Sequence, residues 1–156
     1  MGWHDVFTRN VYKDILIDSL AYCIKYKDLE LFAWCIMTNH VHLMGRANGD
    51  SSLPDILRDF KKFTSKKVLK AIVENDQESR RQWLRNQFHT EAGNRFWRGD
   101  NRPIEVWSKG VIDQKLRYIH NNPVNEGLVF RPEDYPYSSA VDYNGEKGLL
   151  EVTVIQ

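Results

Sequence analysis

Two cysteines in 156 residues, Cys23 and Cys35, leave little room for a disulfide framework or a thiolate metal centre. They lack C-x-x-C spacing and sit among apolar and aromatic residues, so free buried thiols are expected. No apolar stretch approaches the roughly 18 residues that read as a membrane span, and Met1-Gly2-Trp3-His4-Asp5 has neither the basic start nor the apolar core of a signal peptide. A cytoplasmic protein with no membrane partner is the expectation. Internal repeats, low-complexity tracts and interdomain linkers are absent too, and a chain of this length buries most of its apolar surface as one domain, taken here as 1–156. Charge of one sign is not in excess, with 22 Lys and Arg against 21 Asp and Glu, but the balance is uneven along the chain. Residues 58–102 hold 12 basic and 6 acidic side chains, whereas 1–57 and 126–156 are net acidic. A basic middle suits contact with a polyanion, although a solvated helix face has the same composition.

What is present follows two periods. From Val11 to about Lys27, Ile15, Leu16, Leu20, Cys23 and Ile24 recur at helical steps. Leu29 to Met37 is nearly continuously apolar and ends at Thr38-Asn39, and His40 to Arg46 follows, which predicts two strands meeting at a tight turn. Ser51 or Ser52 is placed to cap a helix opening with Leu53-Pro54-Asp55. Its expected buried stripe is Leu53, Ile56, Leu57, Phe60, Phe63 and Ala71. Arg58, Lys62, Lys66 and Lys70 fall four apart on another side, with Lys61 beside them, and form a basic row. A further helix is expected over 78–89, carrying Arg80, Arg81 and Arg85. The loop 93–103 carries Phe96, Trp97, Arg98 and Arg102; its aromatics either stack on unpaired bases or pin the loop to the core. A third long helix is expected from Val111 to Asn122, stopped by Pro123. Leu128-Val129-Phe130 reads as a strand, and 138–143 as a short helical turn.

Two motifs carry chemistry. In a strand, residues i and i+2 share a face, so His40 and His42 project side by side while Val41 turns inward. That is half of a metal site, or else two histidines that merely bond to neighbours. Tyr118 and Asn122, four apart, share one face of the helix that runs to Pro123. Two imidazole nitrogens from His40 and His42 and an amide oxygen from Asn122 would hold a divalent cation without cancelling its charge, and ligand softness favours Mg²⁺ or Mn²⁺ over a thiolate-type metal. A phenol ionises near pH 10 and needs a nearby cation to act at neutral pH. Once it attacks phosphorus it stores the diester bond as phosphotyrosine, which a DNA hydroxyl can later displace. A tyrosine at the core edge, bonded to a backbone group, is the bland alternative for Tyr118. No cluster of carboxylates lies near either motif to hold two metals for a water-using hydrolase.

Asn39-His40-Val41-His42-Leu43 together with Tyr118-Ile119-His120-Asn121-Asn122-Pro123-Val124 resembles the signature of the single-tyrosine HUH transposases, above all the REP-associated tyrosine transposases. Ala33-Trp34-Cys35-Ile36-Met37-Thr38, Phe60-Lys61-Lys62-Phe63-Thr64, Phe96-Trp97 and 132–140 fit the same pattern, so the resemblance covers nearly the whole chain. It implies an α/β (α+β), ferredoxin-like domain with a central antiparallel sheet and helices packed on it. It also implies metal-dependent nicking and rejoining of single-stranded, hairpin-bearing DNA through a 5′-phosphotyrosine. On that pattern His40, His42 and Asn122 hold the metal, Tyr118 is the nucleophile, and Arg58, Lys61, Lys62, Lys66, Lys70 and Arg98 contact DNA. The rival from another class is an inactive transposase remnant that binds single strands. Relatives begin with a further strand before the first helix, where this chain has about ten residues, so either the start lies upstream or the sheet is incomplete. An incomplete sheet would expose unpaired edges and favour pairing with another chain, such as a homodimer.

Overall fold

The computed structural model describes residues 5–90, 93, 94, 96, 97, 105, 106 and 108–156. A 3₁₀ turn (Val6–Thr8) leads into α1 (Asn10–Tyr26), the hairpin β1 (Leu29–Ile36) and β2 (Val41–Ala47), then α2 (Leu53–Glu74) and α3 (Arg81–Phe88). A two-residue ladder, β3 (His89–Thr90) with β4 (Gly93–Asn94), precedes α4 (Lys109–Asn125), a second 3₁₀ turn (Pro132–Asp134) and α5 (Ala140–Tyr143). The architecture is the expected α+β, with helices packed on an antiparallel sheet that carries two strands among the described residues. No helix among those residues is long and apolar enough to cross a membrane, and Cys23 and Cys35 are free and buried.

The hairpin is the centre of the molecule. Its register pairs Trp34 with Leu43, Cys35 with His42 and Ile36 with Val41, with a bulge between Leu31 and Ala33. At its tip the Met37 amide donates to the His40 carbonyl (2.8 Å), closing a tight turn over Thr38-Asn39. The first 3₁₀ turn clamps that tip, because the Phe7 amide donates to the Thr38 carbonyl (2.8 Å) and the Thr38 hydroxyl to Asp5 (3.2 Å). At the base, Asp28 takes a left-handed φ of 54°, and its side chain leaves no room for a Cβ on Gly49, which would sit 2.3 Å from Oδ2.

The other edge of β1 is satisfied without a regular strand. Ile36 donates to the Tyr137 carbonyl, Ser139 to the Trp34 carbonyl and Thr153 to the Leu31 carbonyl, each at 2.9 Å. The hydroxyls of Tyr135 and Tyr143 donate to the Ile36 and Phe32 carbonyls (2.6 Å each). The C-terminal segment thereby meets the requirement that buried backbone groups be paired, and Trp34, Cys35 and Ile36 end fully buried.

The helices depart from expectation in instructive places. α2 buries Ile56, Phe60, Thr64, Val68 and Ile72, a stripe with a strict four-residue step. Phe63, expected inside, is half exposed, and Thr64 takes an interior place because its hydroxyl donates to the Phe60 carbonyl (2.7 Å) and accepts from Trp97 Nε1 (3.0 Å). That bond, with Phe96 packed against Phe7 and Phe88 at 5.8 and 5.0 Å between ring centroids, settles the open alternative: Phe96 and Trp97 pin their segment to the core. Pro123 lies inside α4 and does not stop it. The helix ends two residues later in a Schellman closure, where Gly127 adopts φ +77° and the Gly127 and Leu128 amides donate to the Val124 and Pro123 carbonyls. This closure also turns the chain away from the strand expected at Leu128–Phe130, which does not form.

α3 starts later than expected because Glu78 is occupied elsewhere. Its fully buried carboxylate accepts from Arg9 (3.2 Å) and Arg80 (2.9 Å), while Arg80 also donates to the Asp5 carbonyl (2.9 Å). Burial pushes the Glu78 carboxyl up, but the two guanidinium partners outweigh it and hold the group below its ordinary value. Glu78→Ala strands two arginines at this junction of α1, the first 3₁₀ turn and α3. It is expected to cost about 2 kcal/mol, seen as a melting midpoint lower by several degrees in a circular dichroism scan; an unchanged midpoint would show that the junction is not stabilising.

Candidate active site

His40 ends the hairpin turn and His42 stands one pleat into β2, with Val41 buried between them. Their rings meet edge to face at 4.7 Å between centroids. His40 Nδ1 donates to Asn39 Oδ1 (2.6 Å), which fixes the tautomer and puts the ring's lone pair on Nε2. Burial lowers the pKa of His40, opposed by the Glu126 carboxylate. Burial, followed by the neighbouring His40, lowers that of His42 to about 4. Both rings are therefore neutral at physiological pH, the state in which imidazole binds metal.

Helix α4 presents the other half. Ser108 caps its N-terminus by accepting from the Val111 amide (3.3 Å), and Leu116, Ile119, His120 and Pro123 are buried. His120 is committed to structure, bonded to the Ser139 hydroxyl at 2.8 Å and packed against the tilted ring of Tyr143. On the face toward the hairpin, Asn122 is buried and its Nδ2 donates to His42 Nε2 (2.9 Å). One turn back, the Tyr118 ring stands edge to face against His42 at 5.4 Å, yet the residue is 57% exposed. Its hydroxyl makes no hydrogen bond among the described residues. The fold thus brings together all four residues singled out in the sequence, from two elements about 80 positions apart.

No other tyrosine is so placed. Tyr135 donates to the Ile36 carbonyl, and Tyr137 to Asp14 (2.8 Å), where burial and then Asp14 push its phenol up to about 12. Tyr12 is buried and bonded to Asn75, Tyr143 to Phe32, and the rings of Tyr22 and Tyr26 touch at a tilt on α1. Among the described residues there is no group of three or more His, Cys, Asp or Glu side chains, so a cation here would depend on the Asn122 amide as well as the imidazoles.

The basic row divides on inspection. Lys62, Lys66 and Lys70 line a groove of about 660 Å³ between α2 and α3, floored by Leu69, Ile72 and Val73 and faced by Arg85. Arg58 bonds Asp55 (3.2 Å) and Asp59 (3.4 Å), which compensates its charge locally. Lys61 is half-buried on α2 and does not line the groove. Arg98 lies outside the described residues. Sequence reasoning missed the bond that orients His40, although Asn39 stands next to it in the motif. It also left Arg85 unpaired with the row, because nothing local shows that α3 folds back along α2.

Over residues 3–122 the sequence matches the family described as IS200-like transposases. The chain belongs to that family. The matched stretch ends on Asn122, so all four residues of the cluster fall inside it. A solved structure of a REP-associated tyrosine transposase bound to a REP hairpin superposes with a TM-score of 0.65, covering 97% of this chain and 79% of that one at 15% identity. At that identity the likeness shows that this IS200-like chain shares the fold. No curated protein matches the sequence.

Proposed function

We propose that this transposase nicks and rejoins single-stranded DNA, with Tyr118 as nucleophile and His40, His42 and Asn122 as the ligands of a divalent cation, Mg²⁺ or Mn²⁺. The observation that carries the reading is the position of Tyr118, exposed and with a hydroxyl unbonded among the described residues, against His42 of a pair of neutral imidazoles. The donor set fits such an ion: Nε2 of His40 carries a lone pair with no partner among the described residues, and His42 Nε2 holds a lone pair that the amide of Asn122 now occupies. An amide turned over presents Oδ1 in place of Nδ2, so the residue that now donates to His42 can stand beside it as a ligand. When bound, the cation would neutralise charge on the scissile phosphate and favour the phenolate.

The chain's own residues do the rest. Tyr118 Oη forms a bond to phosphorus as the bond from phosphorus to the 3′ oxygen breaks; the phenol gives up its proton and the 3′ oxygen gains one. The protein stays on the 5′ phosphate and a free 3′ hydroxyl leaves. Attack by a DNA hydroxyl reverses the sequence, so rejoining needs no outside energy source. Asn39 holds the His40 ring in place, and the clamp of Asp5 and Phe7 on the hairpin tip holds Asn39 and His40. The solved structure of similar fold carries a REP hairpin, which supports a hairpin-bearing strand as substrate. The reading is tested by incubating the protein, a divalent cation and such an oligonucleotide, and looking for a covalent adduct that survives denaturation.

The groove between α2 and α3 is the DNA-binding surface in this reading, with Lys62, Lys66, Lys70 and Arg85 on phosphates. Neutralising Lys62 or Lys66 is expected to lower affinity about equally for unrelated sequences and to reduce the slope of log K against log[salt] by roughly 0.7 per contact. Fluorescence anisotropy across a salt series measures this; an unchanged slope would leave the row as a solvated helix face. The second reading, a binder without chemistry, is favoured by the direct Asn122–His42 bond, which engages two of the four site residues with each other. It predicts the same salt dependence and no adduct.

A further inference from the structure

Phe130 is 99% exposed, a whole aromatic side chain in solvent. Leu128 is 46% exposed, while Val129 between them packs on the core, so the segment is pinned at its middle and projects an apolar side chain on either side. The strand expected here from the sequence does not form, which leaves Leu128 half exposed and Phe130 in solvent. Leaving a Phe unburied forgoes the favourable transfer of its ring out of water.

Both ends of the segment are tied to the elements that carry the candidate active site. It begins at Glu126, the C-cap of α4, one turn beyond Asn122. It ends at the 3₁₀ turn that packs on α4 and at Tyr135, whose hydroxyl is bonded to the Ile36 carbonyl next to the hairpin tip. The Leu128 amide bond to Pro123 (2.9 Å) and the Arg131 bonds to Asp134 (3.1 Å each) hold the segment's shape from both sides. Arg131 is thereby spent on its own neighbours, and Glu126, Glu133 and Asp134 make the surroundings acidic. Phosphates are poorly received here. What such a surface offers a nucleic acid is the face of a ring.

We propose that Phe130, flanked by Leu128, is the stacking platform for an unpaired base of the DNA strand held at the His40–His42–Tyr118–Asn122 site. This rests on the reading of that site as a single-strand nuclease and adds the residue that positions the strand. Stacking on an aromatic side chain tolerates any base and needs no charge. Phe96 and Trp97, the other aromatics that the sequence offered for this role, are buried. A second copy of the chain is the poorer occupant, because one Phe contributes about 150–250 Å² where a stable interface buries about 800 Å² per partner.

The test uses the full chain and hairpin-bearing oligonucleotides with 2-aminopurine at successive unpaired positions. Binding to wild type is expected to change the emission at one position, Phe130→Trp to keep that change, and Phe130→Ala to lose it and to bind about five- to tenfold more weakly. The salt slope should not move, which separates this contact from the lysine groove. Unchanged affinity in Phe130→Ala, a reduced salt slope, or a dimer that the substitution turns into monomer in sedimentation equilibrium would each overturn the proposal. A wild type that forms the Tyr118 adduct but is indifferent to Phe130→Ala sinks the stacking role alone; a wild type that takes up no single strand sinks the nuclease reading with it. Because the side chain is in solvent, truncation leaves the fold intact.

Discussion

Tyr118→Phe is expected to reduce adduct formation by at least about a thousandfold, the scale on which loss of a nucleophile is felt, while affinity for the same oligonucleotide stays nearly unchanged. The substitution removes one oxygen. Its ring keeps the edge-to-face contact with His42, and the hydroxyl it deletes bonds to nothing among the described residues, so neither fold nor site packing should respond. Tyr135→Phe and Tyr137→Phe give the converse pattern. Each loses a bond to Ile36 or Asp14, at about 1 kcal/mol of stability, and each should form the adduct normally. Denaturing electrophoresis of a labelled strand reads the adduct, and anisotropy reads the binding. Adduct yield in Tyr118→Phe close to wild type would mean that another residue attacks.

His42→Ala should abolish cleavage nearly as completely, and a chelator should do the same to wild type. A cation on the scissile phosphate is worth several kcal/mol, and each 1.36 kcal/mol is tenfold in rate, so a loss of at least about a hundredfold is expected. His40→Ala belongs with it. Asn122→Ala should cost less cleavage, since water can replace an amide oxygen as a ligand, but it also removes the bond to His42 and so should lower the melting midpoint slightly. Cleavage that persists in chelator or in the double histidine variant would reject the metal role and leave Tyr118 to be activated in some other way.

Much of this arrangement was legible in the sequence because the residues that matter are bound by local geometry. His40 and His42 share a face through the two-residue period of a strand, Tyr118 and Asn122 through the helical turn, and the turn residues Thr38-Asn39 fix where the strand begins. What local pattern could not show depends on partners distant in the chain. Pro123 reads as a helix stop, but a proline removes only one amide, and the closure at Gly127 with the burial of Pro123 carries α4 past it. Leu128-Val129-Phe130 reads as a strand by composition, yet the open edge of β1 is taken by 135–139 and 153, so no edge is left there for it. Thr64 is polar and Phe63 apolar, and the sequence places them the wrong way round; the hydroxyl of Thr64 is satisfied by Phe60 and Trp97, and the strict four-residue stripe turns Phe63 outward. Glu78 continues a helical pattern until Arg9, 69 positions earlier, takes its carboxylate.

The most direct measurement is the site of attachment itself. The wild-type protein, incubated with a divalent cation and a hairpin-bearing single strand, is digested with nuclease and protease, and the peptide that retains a nucleotide is fragmented in a mass spectrometer. The account predicts a single modified residue, Tyr118, linked to a 5′ phosphate, and none when the cation is chelated. A nucleotide on Tyr135, Tyr137 or any other residue, a 3′ linkage, or cleaved DNA with no attached protein would contradict it.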